Sequence, residues 1–175
     1  MQGKAKILGH SIHPMLVGFP IALLSLVWVF DVIHLSTGDA LWGLLAFWLL
    51  TCGLAGGLLA ALTGFIDWLS IPSNTRAYRV GLAHLGVNVS AVGLFVVSWF
   101  LRLHEGIQFT RIAPLALSVI GFATLLVGGW LGGELVEQHG LSVRPGADLN
   151  APSSLGAERL ARRTAPPEGQ HPQPA

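Results

Sequence analysis

Residues 41–66 read LWGLLAFWLLTCGLAGGLLAALTGFI and contain no charged side chain. A helix needs roughly 20 apolar residues to cross the hydrocarbon core of a bilayer, so this stretch is long enough to span it. Three other stretches are also long and mostly apolar, and the predicted spans are residues 14–33, 41–66, 80–101 and 112–135. The sequence therefore predicts an all-α integral membrane protein, a four-helix antiparallel bundle with short loops that contacts the lipid bilayer.

The composition supports a membrane protein and excludes several functions. Charged residues make up 11% of the chain, whereas soluble domains average about 25%. The Lys and Arg residues form no dense run with interleaved aromatics, so nucleic-acid binding is not expected. The single cysteine, Cys52, can form neither an internal disulfide nor a cysteine-based metal site. No hydrolase, phosphate-loop or zinc-protease motif is present, so we predict no catalytic residues and leave open an electron-transfer subunit of an oxidoreductase.

Local signals predict where the helices begin and end. Pro14 suits the first helical position, and Pro20 is expected to kink the first helix. Ser36-Thr37-Gly38-Asp39 predicts a tight turn, and Thr75 or Asn74 is expected to cap the third helix. Residues 1–141 form the predicted membrane domain. From Ser142 the composition shifts to Pro, Gly, Arg and Ser, which predicts a disordered cytoplasmic tail over residues 142–175.

The basic residues near the span ends predict the orientation. Cytoplasmic loops carry an excess of Lys and Arg. Arg102 and Arg111 lie near one membrane face, and more basic residues lie near the other: Lys4, Lys6, Arg76, Arg79 and Arg144. The richer face is therefore expected to be cytoplasmic, with both termini on that side of the membrane.

An even number of spans also gathers polar residues from all four helices at the basic face. These residues are His10, His13, Asp67, Arg76, Arg79, His84, Asn88, Glu134 and His139. Ionisable groups at membrane depth usually face the bundle interior and often mark a functional site. The opposite face is expected to hold only ordinary helix exits and loops, at Asp31, His34, Asp39, Arg102, His104, Glu105 and Arg111.

His84 is the most informative of these residues, because Asn88 lies four residues later on the same helix face. A neutral imidazole can bind a metal or a haem iron through one nitrogen while a carboxylate or amide, here Asp67 or Asn88, orients the other N–H. His13 or His10 could supply the second axial ligand that a b-type haem requires in a helical bundle. His84 and His13 could instead be interfacial histidines that only bind a neighbouring helix.

Two other functions remain open from the residues. One is an iron or zinc site built from His10, His13, Asp67, His84 and Glu134, because mixed imidazole and carboxylate ligands suit those ions. The other is a scaffold or anchor, in which the same residues form a hydrogen-bond network between helices. Small residues at four-residue spacing predict close helix packing, which we favour within the monomer over a homodimer face: Gly53 with Gly57, Gly128 with Gly132, and Gly129 with Gly133.

Several motifs together resemble a known family. The first is GHSIHPMLVGFPIA at residues 9–22, and the others are TGFIDW at 63–68, Ile71-Pro72 with Thr75-Arg76, His84 with Asn88, and GGWLGGE at 128–134. They resemble the signature of a bacterial membrane family catalogued as domain of unknown function 2231, over about residues 9–140. Gly18 departs from it, because family members commonly carry a second histidine there.

The resemblance implies a four-helix membrane domain with a shared set of motif residues. In this sequence they are His10, His13, Pro14, Asp67, Arg76, His84, Asn88 and Glu134. The family has no settled activity. Some members are joined to Rieske-type iron–sulfur or c-type cytochrome domains, which implies a redox setting and similar redox partners for this chain. In that setting Arg76 or Arg79 could pair with haem propionates.

Overall fold

A computed structural model describes residues 4–144, 146–151 and 153 and contains four long helices. They are α1 (Ile12–Thr37), α2 (Ala40–Trp68), α3 (Arg76–Glu105) and α4 (Ile112–Glu137). Each is long and apolar enough to cross a membrane. The predicted all-α membrane bundle is confirmed. Most of the predicted C-terminal tail, residues 142–175, lies outside the described residues.

The starts of α1 and α3 both have a local cause, and α3 is capped by Thr75, one of the two residues predicted to cap it. α1 begins at Ile12, which makes Pro14 its third residue. The first turn of a helix has no intrahelical acceptors for its N–H groups, so a proline is tolerated there as well as at the first position. α3 begins at Arg76 because the Thr75 hydroxyl accepts the N–H of Tyr78 at 3.2 Å. α1 continues as a helix through the buried Pro20.

A short hairpin precedes α1 and was not predicted. Strands β1 (Lys6–Ile7) and β2 (His10–Ser11) pair antiparallel, with Ile7 opposite His10. Two-residue strands are too short to show a sequence period. The Asp67 carboxylate accepts the N–H of Ala5 at 2.9 Å, and Arg144 donates to the carbonyl of Gly9 at 2.6 Å. The hairpin is thereby joined to the end of α2 and to the segment after α4.

The four helices form two tightly packed pairs, α1 with α2 and α3 with α4. The two pairs touch each other less, through α2 with α3 and α1 with α4, so α1 and α3 lie on a diagonal. We call the interface between the two pairs the seam. Its middle is filled by an apolar cluster, and the indole N–H of Trp99 crosses it to the Thr51 hydroxyl at 2.9 Å. The cluster consists of Leu24, Val27, Ala46, Leu50, Leu54 and Phe95.

The glycine pairs divide into those that pack within the chain and those that do not. A Cβ added at Gly53 would lie 2.7 Å from the Leu24 side chain, so α2 approaches α1 closely at this point. Gly128 and Gly132 face side chains of α3 in the same way. Around Gly129 and Gly133 no described atom comes within 4 Å of such a Cβ. Packing within the monomer therefore accounts for Gly53, Gly128 and Gly132.

Candidate functional site

His13 lies in the first turn of α1 and is fixed by the neighbouring helix of its own pair. Its Nδ1 is 2.8 Å from the carbonyl oxygen of Ala60 on α2. A carbonyl only accepts hydrogen bonds, so this contact assigns the proton to Nδ1 and leaves a lone pair on Nε2. The ring fits here because Gly64 has no side chain: a Cβ at Gly64 would lie 2.7 Å from Cε1 of His13.

His84 is held in the same manner within the other helix pair. Its Nδ1 is 2.9 Å from the carbonyl oxygen of Gly128 on α4, which again leaves the lone pair on Nε2. A Cβ at Gly132 would lie 3.1 Å from Cε1 of His84. The Asn88 amide donates to the carbonyl of His84 at 2.8 Å and lies 3.4 Å from both ring nitrogens. The amide therefore stands directly beside the imidazole.

The two imidazoles meet across the seam. Their ring centroids are 6.4 Å apart, and their planes are nearly perpendicular at 87°. His84 lies eight residues into α3, about 12 Å along the helix axis at a rise of 1.5 Å per residue. His84 therefore lies about two turns into α3, whereas His13 lies in the first turn of α1. Each helix pair contributes one imidazole, and each imidazole is already oriented by its own pair.

The spacing of the rings can be compared with what a shared iron requires. A metal–imidazole bond is about 2.0 Å long, and the centre of a five-membered ring with bonds of about 1.33 Å lies roughly 1.1 Å from each ring atom. Two imidazoles on opposite sides of one ion therefore have centroids roughly 6.2 Å apart. The observed separation of the two ring centroids, 6.4 Å, is close to this value.

The other predicted site residues do not join this pair. His10 is exposed on the hairpin, where its Nδ1 is 3.1 Å from the carbonyl of Leu8. Asp67 binds the backbone N–H of Ala5, and Arg76 is exposed in the first turn of α3. Glu134 is half-buried, and its carboxylate has no hydrogen-bond partner among the described residues. The structure brings together His13, His84 and Asn88.

The predicted five-residue metal site is likewise not assembled. Within the described part of the chain, no group of three or more His, Cys, Asp and Glu side chains could hold a metal ion. His10 and Asp67 have the backbone partners described above. Two imidazoles alone give too few protein ligands for a structural zinc site, which takes four.

The opposite face holds a buried polar network that sequence reasoning missed. Asp31 on α1 and Arg102 on α3 were expected to be ordinary helix exits, and this expectation is wrong, because both side chains are 0% exposed. The guanidinium binds the carboxylate with two hydrogen bonds, Nη1 to Oδ1 at 2.8 Å and Nη2 to Oδ2 at 2.6 Å. His34 is also buried, with its Nδ1 2.8 Å from the carbonyl of Asp39.

The remaining donors of Arg102 are satisfied by hydroxyl groups. Its Nε donates to Ser98, its Nη1 to Thr110 and its Nη2 to Ser118, at 3.1 to 3.4 Å. A guanidinium has five N–H groups, and all five have partners here. A signal for this network was present in the sequence: an acid and a base on different apolar spans near the same membrane face need each other to be buried.

One family model, described as a predicted membrane protein (DUF2231), matches residues 9–145. That range includes all four helices, both imidazoles, the Asp31–Arg102 ion pair and Arg144. No curated protein matches the chain, and no solved structure does.

Proposed function

Because the chain belongs to the domain of unknown function 2231 family of predicted membrane proteins, whose description names no activity, we propose a function from the geometry of the seam. The protein binds one b-type haem between His13 and His84 and acts as an electron-transfer subunit in the membrane. The observation that carries this proposal is the pair of imidazoles from diagonal helices, 6.4 Å apart and both with Nδ1 bound to a backbone carbonyl.

The proposal gives each nearby residue a definite part. His13 and His84 would hold the haem iron through Nε2, and the carbonyls of Ala60 and Gly128 fix the orientation of the rings and raise their basicity. Asn88 stands beside His84 and orders the environment of that ring. Haem, when bound, supplies an iron that gains and loses one electron. Arg76, exposed in the first turn of α3, offers a cation for a haem propionate.

The orientation of the protein in a bacterial inner membrane, with its termini in the cytoplasm, is part of the same proposal. Arg102 had counted as a basic residue of the face opposite to the termini. Because it is buried in an ion pair, it no longer contributes to the loop charge, and Arg111 remains there with its side chain 72% exposed. The excess of basic residues at the other face is therefore larger than the sequence alone suggested.

A second candidate function is a scaffold or membrane anchor of a redox complex. The observation that favours it is that both imidazoles already link helices within the chain, His13 to α2 and His84 to α4. A histidine that donates to a carbonyl of a neighbouring helix stabilises a membrane bundle without any cofactor. Iron–sulfur or cytochrome c type redox partners suit either function, and the uncovered ridge of Gly129 and Gly133 suits a homodimer.

The two functions are separated by spectra of matched histidine variants. The protein is expressed with a haem supply and purified in detergent, and its oxidised and reduced spectra are recorded together with its iron, zinc and porphyrin content. We expect a Soret band and a reduced α-band in the wild type, lost or converted to a five-coordinate spectrum in His13→Ala and His84→Ala. His10→Ala and His104→Ala, which replace exposed histidines, should retain the wild-type spectrum.

His84→Gln distinguishes ligation from helix packing. A glutamine amide can still donate to the Gly128 carbonyl but cannot replace imidazole as a haem ligand. Electron transfer predicts that His84→Gln loses the six-coordinate spectrum while the protein remains folded. The scaffold predicts a wild type without haem, in which His84→Ala lowers stability and His84→Gln restores part of it. A wild type that contains iron or zinc without porphyrin would favour a metal ion instead.

A further inference from the structure

The buried ion pair and the imidazole pair lie on the same two helices and are separated by the same number of residues on each. Asp31 follows His13 by 18 residues on α1, and Arg102 follows His84 by 18 residues on α3. With 3.6 residues per turn, 18 residues are about five full turns, so each helix presents both of its polar residues on one face. The axial distance between the two sites is about 27 Å, close to the thickness of the hydrocarbon core.

The ion pair connects the two helix pairs near the membrane face opposite the histidines. Asp31 belongs to the α1–α2 pair, whereas Arg102 and the three hydroxyl groups around it belong to α3, α4 and the segment between them. Ser98 and Ser118 both donate to the carbonyl of Pro114 as well, which fixes them within their own pair. The guanidinium is therefore held rigidly in one helix pair and receives the carboxylate of the other.

The network is closed and has no free donor for a ligand. All five N–H groups of Arg102 are used, and Asp31 accepts from Nη1, Nη2 and the Thr110 hydroxyl. Such an ion pair adds little net stability compared with apolar residues of the same volume, whereas a buried polar contact can specify one arrangement of helices among several. Its geometry therefore suits the positioning of helices better than binding or catalysis.

We propose that the Asp31–Arg102 ion pair sets the axial register of α1 against α3 and thereby places His13 opposite His84. Because Asp31 and Arg102 each follow a histidine by 18 residues, α1 and α3 advance by the same distance between the two sites. When the ion pair is aligned, the two imidazoles at the other membrane face are therefore aligned as well. Asp31 and Arg102 are positioning residues. The consequence for haem ligation rests on the proposed function, whereas the consequence for the helix register does not.

Spin labels on the two diagonal helices test the register directly. Labelled cysteines replace Met15 on α1 and Leu82 on α3, both exposed and close to the histidines, in a Cys52→Ser background. The distance distribution between the labels is measured by pulsed electron paramagnetic resonance. The key variant is Asp31→Leu with Arg102→Met, which removes both charges while keeping similar volumes. The control is Leu50→Ala, which weakens the core of the seam and leaves the ion pair intact.

We expect the double variant to broaden the distribution or to move its maximum by more than the width of the wild-type peak, whereas Leu50→Ala leaves the maximum in place. If haem is bound, the double variant should also lose six-coordinate haem, and Leu50→Ala should not. Should the double variant not fold, Arg102→Lys keeps the charge but not the two-pronged contact, and it should broaden the distribution. The proposal is overturned if the double variant folds and has the wild-type distance distribution. If the double variant does not fold, the same result for a folded Arg102→Lys variant overturns it. A wild type without haem overturns only the proposed function.

Discussion

Replacing Arg102 by methionine alone should destabilise the protein far more than replacing both members of its ion pair. In the single variant the Asp31 carboxylate keeps only the Thr110 hydroxyl as a donor and stays buried without a counter-charge. In the double variant with Asp31→Leu, neither charge is present, and the buried Thr110 hydroxyl loses its carboxylate acceptor. The hydroxyls of Ser98 and Ser118 keep their acceptor, the carbonyl of Pro114, in both variants. The difference between the variants therefore reports mainly on the unpaired carboxylate.

The magnitude follows from the burial of both side chains, which are 0% exposed. Removing one partner of a buried ion pair costs about 3–5 kcal/mol, whereas replacing both by apolar residues of similar volume is neutral or stabilising by about 1–4 kcal/mol. We therefore expect Arg102→Met to lose about 3–5 kcal/mol. The double variant should recover that loss or exceed the wild type. The double variant should therefore lose less stability than the sum of the losses in the two single variants, which is the result expected for two side chains that interact directly.

Unfolding by sodium dodecyl sulfate in mixed micelles, followed by the fluorescence of the six tryptophans, measures the four corners of this cycle. The corners are the wild type, Arg102→Met, Asp31→Leu and the double variant. The reasoning is refuted if Arg102→Met is as stable as the wild type, or if the double variant is no more stable than the worse of the two single variants. The first result would mean that water reaches the carboxylate.

Two further predictions use single substitutions with matched controls. Gly64→Ala places a Cβ 2.7 Å from Cε1 and 2.8 Å from Nδ1 of His13. If the purified wild type contains the proposed haem, the haem-to-protein ratio should fall in this variant, whereas Gly86→Ala, which meets no atom within 4 Å, should leave it unchanged. A Gly64→Ala protein with the ratio of a haem-containing wild type would contradict the assigned position of His13. Thr75→Ala removes the side-chain cap on the N–H of Tyr78 and should cost about 1 kcal/mol of stability, measured as a lower midpoint of thermal unfolding. Thr75→Ser, which keeps the hydroxyl, should retain most of the stability. An unchanged midpoint in Thr75→Ala would show that the cap contributes nothing.

The number and order of helices could be predicted from the sequence because lipid imposes the strongest constraint. Each span needs a long run of apolar residues, and the short connections force antiparallel neighbours. The hairpin over residues 6–11 could not be found in this way. Its strands contain two residues each, and its position depends on Asp67 and Arg144. Both are distant in sequence from the backbone groups that they bind, so no local pattern indicates the contact.

The candidate site was predictable in part, since sequence periodicity shows which residues share a helix face but not what lies opposite. His84 and Asn88 follow from their four-residue spacing, and an even number of spans places His13 near them. The choice between His10 and His13 depends on where α1 begins, two residues before the predicted start. The Asp67 carboxylate is chemically suited to orienting an imidazole, but it accepts the N–H of Ala5, directly before the hairpin, instead.

The two ends of the seam differ in one respect that decides what each can do. At the ion pair every donor of Arg102 has a partner inside the chain, so that end is complete as it stands. At the histidine pair each ring uses Nδ1 for a backbone carbonyl and keeps a lone pair on Nε2. The Asn88 amide nitrogen lies 3.4 Å from Nε2 of His84, whereas Nε2 of His13 has no hydrogen-bond partner among the described residues. Of the two polar sites on this diagonal, the imidazole pair is therefore the one that can still accept a ligand, and the proposed haem iron would bind there.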